Sequence, residues 1–260
     1  MQIELIGCTS AGKSTLSKSI LQACQAQKIE VLLGDDFVLR QARLHWIESR
    51  PLRKSLVNLA GLLASLITWR KNREFYRFAA RHLFRLPIGR LEKFQLLRNV
   101  LKKIGIYEII RRRRSDQQVI LVDEGILQVA HNLFVHVSVE AKTEELATFA
   151  GLIPLPDVVV YLRQPEELLI DRTLKRGHQR IPDRSYGQVV RFIKQAVATF
   201  DNLVRYPAVE NKLLIINGEQ DVVMAKNEPD DPMVGMALSI VQSVFSVDPS
   251  GQLSRAIYVE

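Results

Sequence analysis

Short continuous apolar runs alternate with longer segments of helical periodicity along most of the chain. Continuous runs of this length are typical of strands that are buried on both faces of a sheet. The predicted strands cover residues 2–6, 29–33, 119–122, 157–162 and 212–216. Because helices usually connect parallel strands, the alternation predicts an α/β fold in which helices cover both faces of a five-stranded parallel sheet.

Helical patterns fill most of the remaining chain. The predicted helices run from the glycine-rich loop after the first strand to about Gln27, from Pro165 to Arg176, and from Tyr186 to Tyr206. A helical pattern also follows residue 125 as far as about Gly151. A polar loop, NEPDDP, precedes a last predicted helix from about Met233 to Phe245.

The segment of residues 38–116, between the second and third predicted strands, is long, helical in pattern and basic. We interpret it as a helical insertion that binds an acceptor or a docking partner, within a single domain of residues 1–260. Breaks between its helices are expected at Pro51, at Pro87 and Gly89, and at Gly105.

Charge is distributed unevenly along the chain. The net charge is +8, but residues 40–114 contain 20 Lys and Arg against four acids, a net charge of +16. The rest of the chain therefore carries −8. This asymmetry indicates that the basic segment binds an anionic partner. Such a partner is a substrate phosphate, a nucleic acid or the headgroups of a membrane. Helices with solvated basic faces are the alternative.

The cysteine content indicates the compartment. Two cysteines are too few for a disulfide scaffold in 260 residues, which favours a reducing, cytoplasmic compartment.

One apolar stretch raises the question of membrane contact. Residues 55–69 are uncharged, and this stretch is shorter than the about 20 residues that cross a membrane. We expect it to form a buried helix. The alternative is an interfacial helix, with residues 50–73 in peripheral contact with the inner face of a membrane.

The strongest chemical signal is GCTSAGKS, residues 7–14, between a predicted strand and a predicted helix. It matches the phosphate-binding loop pattern G-x-x-x-x-G-K-S, whose backbone N–H groups and following helix N-terminus bind phosphate. Lys13 is expected to reach the β- and γ-phosphates, and the Ser14 hydroxyl to bind Mg²⁺. The predicted nucleotide-binding residues of this loop are Gly7, Thr9, Ser10, Ala11, Gly12, Lys13, Ser14 and Thr15.

Two pairs of acids follow predicted strands. We expect Asp123 to serve Mg²⁺ directly or through water, and Glu124 to act on the metal or on the acceptor. Asp35 and Asp36 would lie near the γ-phosphate, since ligands gather at the carboxyl ends of parallel strands. One of them, Asp36 in preference to Asp35, would accept a proton from an acceptor hydroxyl or orient it. Solvated turn acids and a helix N-cap are the alternatives.

Arginines recur between residues 171 and 184. Arg172 and Arg176 share a helix face, and Arg180 follows Gly177 on a loop that we expect to be mobile. Guanidinium groups stabilise the charge that moves during phosphoryl transfer, and a closing loop excludes water from the phosphates. The alternative is a basic helix end that complements the helix dipole.

The order of these motifs resembles that of the P-loop small-molecule kinases. The layout is similar to thymidylate kinase and the deoxynucleoside kinases, and DDF at residues 35–37 resembles the uridine kinases. This resemblance implies a three-layer αβα sandwich with sheet order 2-3-1-4-5 and a lid at residues 171–184. It also implies that a loop at Asn217 and Gly218 approaches the adenine.

We therefore predict an ATP- and Mg²⁺-dependent kinase that phosphorylates a small anionic acceptor, which is nucleoside-, nucleotide- or sugar-like. The alternative is a P-loop ATPase or nucleotide-dependent regulator whose basic segment binds nucleic acid or an anionic membrane surface. Aromatic residues from Trp46 to Phe84 would then stack on bases or insert into the membrane, although packing in a helical core explains them more simply. The N-K-x-D motif of a GTPase is not found after any predicted strand.

Overall fold

A computed structural model describes residues 1–137, 139, 141–178, 180–181, 185–218, 237 and 240. Within these ranges the strands are β1 (Gln2–Ile6), β2 (Val31–Leu33), β3 (Val119–Asp123), β4 (Val158–Arg163) and β5 (Leu213–Asn217). They form one parallel sheet in the order β2-β3-β1-β4-β5. The α/β fold and the strand order are thus confirmed. The NEPDDP loop and the predicted last helix lie outside the described residues, apart from Ala237 and Ile240, which are buried.

Helices connect the strands and cover the sheet. Those of the described ranges are α1 (Lys13–Ala26), α2 (Gly34–Gln41), α3 (Arg50–Ile67), α4 (Arg73–Arg85), α5 (Arg90–Arg113), α6 (Val129–Phe134), α7 (Thr143–Leu152), α8 (Glu166–Arg176), α9 (Tyr186–Leu203) and α10 (Pro207–Glu210). The single helical pattern expected up to Gly151 is in fact divided between α6 and α7.

The register of the sheet brings the glycine-rich loop next to the acids after β3. Leu5 pairs with Asp123 on one side of β1, and Ile6 pairs with Tyr161 on the other. The chain therefore leaves β1 between the ends of β3 and β4. At this point of a doubly covered parallel sheet, ligands bind beyond the carboxyl ends of the strands.

The core has two layers, one on each face of the sheet. Leu5 and Val160 face α1, α8 and part of α9, whereas Ile6 and Val159 face α4, α5, α6 and α7. Helices from the basic segment therefore supply much of one layer of the sandwich. Val100 and Ile104 of α5, for example, are fully buried.

The break expected at Gly105 was wrong, because α5 passes through this residue without interruption. Gly105 lies instead where α5 crosses α3. A Cβ atom on Gly105 would lie 1.7 Å from the carbonyl oxygen of Gly61, so only glycine allows the two backbones to approach this closely. The expected breaks at Pro51 and at Pro87 and Gly89 are confirmed, since α3 and α5 begin there.

The apolar stretch of residues 55–69, expected as a buried helix, forms most of α3 and is only half buried. Val57, Gly61 and Ser65 are buried, but the opposite side of the helix is exposed. Leu59 and Leu63, for example, are 54% and 51% exposed. Among the described residues, no helix is long and apolar enough to span a membrane.

Candidate active site

The loop between β1 and α1 is shaped by residues with positive φ. These are Gly7, Ser10 and Gly12, with φ values of 147°, 61° and 101°. A Cβ atom on Gly7 would lie 2.7 Å from the carbonyl oxygen of Leu162, so this position requires glycine. Gly12 is the N-cap of α1, and no acid lies in the first turn of that helix. The positive end of the helix dipole is therefore directed at the loop.

Lys13 holds its ammonium group inside this loop. Nζ donates hydrogen bonds to the carbonyl oxygens of Gly7, at 3.1 Å, and Cys8, at 2.9 Å. The side chain is only 6% exposed, and Nζ lies 3.9 Å from a carboxylate oxygen of Glu124. The cation is therefore placed where the sequence predicts the phosphates.

Ser14 and Asp123 form the predicted metal pair. Ser14 Oγ donates to Asp123 Oδ2 at 2.7 Å, while Asp123 Oδ1 is buried without a hydrogen-bond partner. Burial raises the pKa of the Asp123 carboxyl, an effect that the Ser14 hydrogen bond opposes. Among the described residues, no cluster of three His, Cys, Asp or Glu side chains forms a metal site by itself. Mg²⁺ in phosphoryl-transfer sites needs only one or two protein oxygens besides phosphate and water, so these residues fit that ion.

Glu124 is held in a strained backbone conformation beside this pair. Its φ of 65° lies in the left-handed region, which is uncommon for non-glycine residues and which occurs often at functional sites. Burial by itself would raise the pKa of the Glu124 carboxyl. The nearby cations Lys103, Lys13, Lys102 and Arg176 outweigh burial and lower this pKa. Glu124 is thus a stable anion within a cluster of positive charge.

Glu4, in the middle of β1, orders the loop that follows these acids. It is fully buried, and Oε1 accepts hydrogen bonds from the N–H groups of Leu127, at 2.7 Å, and Gln128, at 3.2 Å. A Cβ atom on Gly125 would lie 2.6 Å from the Glu4 carboxyl group, which explains the glycine after the acid pair. Burial raises the pKa of Glu4 to about 7.

Gln128 connects this loop to the phosphate-binding loop. Its Oε1 accepts the N–H of Gly7 at 3.3 Å, and its Nε2 donates to the Gly7 carbonyl oxygen at 3.0 Å. Neither Glu4 nor Gln128 was identified from the sequence. The one available signal was an acid inside an otherwise apolar strand, where a buried carboxyl needs partners.

The acids after β2 lie in the first turn of α2 rather than in a turn. Asp36 is paired with Arg53 of α3, whereas Asp35 lines a cavity together with Ser14 and Asp123. Burial raises the pKa of the Asp35 carboxyl, and Lys102 opposes this change. Of the two acids, Asp35 and not Asp36 therefore shares a cavity with the predicted metal pair.

This cavity has a volume of about 360 Å³ and lies between α1, α5 and the ends of β2 and β3. Its apolar wall is formed by Leu33, Ile106, Ile110 and Ile126. Its charged wall is formed by Lys18, Asp35, Lys102, Lys103, Asp123 and Glu124. Burial lowers the pKa of Lys102 and Lys103, and the nearby acids partly oppose this lowering. The two lysines were not distinguished in the sequence from the other cations of the basic segment.

The predicted arginines separate into two groups. Arg172 Nη1 lies 3.5 Å from the carbonyl oxygen of Ser10, and the neighbouring Thr173 hydroxyl donates to Ser10 Oγ at 3.1 Å. Arg176, one turn further along α8, lies close enough to Glu124 to lower its pKa. Arg172 therefore contacts the phosphate-binding loop, whereas Arg176 acts on Glu124 through its charge.

Arg180 lies elsewhere, against the C-terminal end of α6. Its guanidinium group donates to the carbonyl oxygens of Val135, at 2.9 Å, and His131, at 3.4 Å. Burial lowers the pKa of this guanidinium. Residues 179 and 182–184 of the predicted lid lie outside the described part of the chain.

Asn217 and Gly218 lie at the carboxyl end of β5. The N–H of Gly218 donates to the carbonyl oxygen of Arg163 at 2.9 Å, which joins the ends of β5 and β4. Since β4 separates β5 from β1, this loop lies two strand spacings, roughly 10 Å, from the strand that leads into the phosphate-binding loop.

No protein-family model matches the chain, and no curated protein matches it either. Among solved structures, it is similar to shikimate kinase from Bacteroides thetaiotaomicron, with a TM-score of 0.41 and 12% sequence identity. That similarity covers 95% of this chain and 99% of the other. A likeness this distant carries no argument about function, and it does not confirm the narrower resemblance to thymidylate and deoxynucleoside kinases. The function therefore has to be argued from the side chains.

Proposed function

We propose that the protein is an ATP-dependent kinase that transfers the γ-phosphate to a small anionic acceptor, which is nucleoside-, nucleotide- or sugar-like. One observation carries this proposal. A single cavity of about 360 Å³ connects Ser14 and Asp123, beside the phosphate-binding loop, with Asp35 and Lys102 on the far side. A hydrolase needs only room for water beyond the γ-phosphate, whereas this cavity has the size and the charges to hold a second substrate.

ATP binds next to the cavity, on the loop of residues 7–14, in this proposal. The N–H groups of residues 7–14 and the N-terminus of α1 hold the β- and γ-phosphates, and Lys13 exchanges loop carbonyls for phosphate oxygens. Ser14 and the unpartnered oxygen of Asp123 would hold Mg²⁺, which neutralises charge on the phosphates when bound. Arg172 and Arg176 add positive charge at the edge of the loop. Asn217 and Gly218 would adjoin the adenine.

The acceptor side provides a base and a site for an anion. Asp35 takes the proton of the acceptor hydroxyl as the hydroxyl oxygen bonds to the γ-phosphorus and the bond to the β-phosphate oxygen breaks. Burial raises the pKa of the Asp35 carboxyl, which makes its carboxylate a stronger base. Lys102 and Lys103 bind the anionic group of the acceptor, and Glu124 orients Lys13 and Lys103. Asp36 acts indirectly, because its ion pair with Arg53 joins α2 to α3.

Arg180 has a positioning role in this proposal, since its hydrogen bonds hold the end of α6. This helix follows the loop ordered by Glu4. A catalytic role for Arg180 would require the guanidinium to leave these carbonyls.

The proposal is tested by measuring ADP formation with a panel of nucleosides, nucleotides, sugars and sugar phosphates. We expect ADP to form at a significant rate only when an acceptor is present. Lys13→Ala should reduce this rate by at least about a hundredfold while leaving the circular dichroism spectrum unchanged. Lys28→Ala, which removes an exposed lysine just beyond α1, is the matched control and should retain full activity.

Two results would contradict the proposal. If no member of the panel stimulates ADP formation, the protein is not a small-molecule kinase of this kind. If Lys13→Ala turns over at the wild-type rate, residues 7–14 do not serve as the phosphate site.

A further inference from the structure

The outward face of α3 is unusually apolar. The side of this helix that is buried against the rest of the protein contains Val57, Gly61 and Ser65, which are spaced four residues apart. Large apolar side chains occupy the opposite side and are between 48% and 77% exposed. This leucine stripe consists of Leu52, Leu59, Leu63, Leu66 and Ile67. Spacings of seven, four and three residues place these side chains on one helical face.

This arrangement is the reverse of that expected for a surface helix. The outward face of such a helix is normally polar, and contiguous exposed apolar patches mark interaction sites. Trp69 lies two residues after Ile67, the last residue of the stripe, and is 43% exposed. Its ring stacks on Tyr76, with the ring centroids 4.8 Å apart, so one aromatic side chain is fixed at the end of the stripe.

Exposed cations lie at both ends of the leucine stripe. Arg50 begins α3, and Arg70 and Arg73 follow its last residue. Within the described part of the chain, none of these three forms an ion pair, unlike Arg53 and Lys71, which pair with Asp36 and Glu108. The stripe therefore combines an apolar surface with cations that have no acidic partner among the described residues.

Charge distinguishes between the occupants that would cover such a stripe. Residues 40–114 carry a net charge of +16, so two copies of this surface would repel each other. An anionic surface would instead be attracted. Nucleic acid is anionic, but exposed leucines offer neither stacking nor hydrogen bonds to bases. An anionic lipid bilayer can bury the leucines among its acyl chains and pair the arginines with its headgroups.

We propose that α3 docks the protein on the surface of an anionic lipid bilayer. The helix lies in the plane of the membrane, with the leucine stripe and Trp69 at the boundary between headgroups and acyl chains. Arg50, Arg70 and Arg73 contact the anionic headgroups. An orientation across the bilayer is excluded for α3, because no described helix is long and apolar enough to span it.

This inference is independent of the proposed kinase activity. None of the residues of the leucine stripe, and none of the three arginines, lines the cavity beside the phosphate-binding loop. Substitutions on α3 should therefore change membrane binding without changing the binding of nucleotide.

Vesicle flotation of the full-length chain tests the proposal directly. We expect the protein to float with vesicles of phosphatidylglycerol and phosphatidylcholine, and to bind vesicles of phosphatidylcholine alone much more weakly. The chain has two tryptophans, so Trp46→Phe leaves Trp69 as the only tryptophan reporter. Its emission should shift to shorter wavelength when anionic vesicles are added.

Two triple variants separate a specific apolar contact from a general loss of structure. Leu59→Gln, Leu63→Gln and Leu66→Gln together should reduce partitioning into anionic vesicles by at least about tenfold. The same three positions changed to Met keep an apolar surface and should retain binding. Both variants should keep the circular dichroism spectrum and the thermal unfolding midpoint of the wild type, which checks that the fold is intact.

A third variant tests the charges. Arg50→Gln, Arg70→Gln and Arg73→Gln together should weaken binding to anionic vesicles and reduce its dependence on salt, while weak binding to neutral vesicles stays unchanged.

Four results would overturn the proposal. The first is that the wild type does not bind anionic vesicles at low salt, and the second is that it binds neutral and anionic vesicles equally. The third is that the triple Gln variant of the leucines binds anionic vesicles as well as the wild type does. The fourth is a wild-type dimer in sedimentation that this variant converts to monomer while neither protein binds vesicles, because the stripe would then be an interface between two copies.

Discussion

The phosphate-binding loop and the neighbouring cavity differ in how the chain encodes them. In the loop, Gly7, Lys13 and Ser14 lie within eight consecutive residues, and their spacing alone predicts their arrangement. In the cavity, Asp35 and Lys102 come from distant segments that meet only because α5 packs beside α2. The proposed phosphate site is thus determined locally in the sequence, whereas the proposed acceptor site depends on tertiary structure.

The largest effect on kcat is expected at one of the two acids of α2, because only Asp35 lines the cavity. Asp35→Asn should reduce kcat by about a hundredfold or more, because it removes the proposed base from the cavity. Asp36→Asn should have less than about a tenfold effect, since its carboxylate pairs with Arg53 outside the cavity lining. Steady-state kinetics at saturating ATP would measure both values. A larger loss in Asp36→Asn than in Asp35→Asn would assign the base to Asp36.

An intermediate effect is expected at Lys102. Lys102→Met should raise KM for the acceptor by about tenfold, because it removes a positive charge from the lining of the cavity. KM for ATP should stay nearly unchanged. Lys102 also opposes the rise in the pKa of Asp35, so its removal should raise this pKa further. The acidic limb of the pH profile of kcat/KM should then move to higher pH.

Lys93→Met is the matched control for this helix. Lys93 lies in the first turn of α5, and Nζ donates to the carbonyl oxygen of Phe84 at 2.9 Å, outside the cavity lining. Equal changes in KM for both variants would show that the basic segment acts through its overall charge rather than through Lys102.

The smallest effect concerns stability and the buried Glu4. Its pKa in the folded protein is raised from 4.5 to about 7, so the folded state holds a proton that the unfolded chain releases. The free energy of unfolding should therefore fall as the pH rises across this interval. Glu4→Gln should make the free energy of unfolding less dependent on pH, and urea unfolding at several pH values between 4.5 and about 7 would measure this. Glu210→Gln, an exposed substitution on α10, should leave the pH dependence as in the wild type. A pH dependence that is unchanged in Glu4→Gln would contradict this explanation.

Much of the fold could be predicted because its determinants are local. Continuous apolar runs predicted the strands, and the motif at residues 7–14, with Asp123 after the third predicted strand, predicted at which ends of the strands the candidate site lies. Gly105 was misinterpreted because a glycine inside a helix has the same local pattern whether it breaks the helix or contacts another backbone. Only the crossing with Gly61 distinguishes these two situations.

The remaining features depend on the direction in which a helix faces. The leucines of α3 were expected to be buried because an apolar run normally faces a core, yet Gly61 turns the opposite side of this helix inward. Similarly, the choice between Asp35 and Asp36 depends on the rotation of α2, and the choice of Lys102 among 20 cations depends on the rotation of α5. Packing between helices sets these rotations, and the sequence of one helix does not specify them.

The central claim is that the γ-phosphate passes to an acceptor held between Asp35 and Lys102. It is tested most directly by following γ-labelled ATP with the wild-type protein and the acceptor that stimulates ADP formation. We predict that the label appears in a phosphorylated acceptor in equal amount to the ADP formed, and that Lys13→Ala abolishes both products. Release of the label as inorganic phosphate, at a rate that does not depend on any acceptor, would contradict the account and identify the protein as an ATPase.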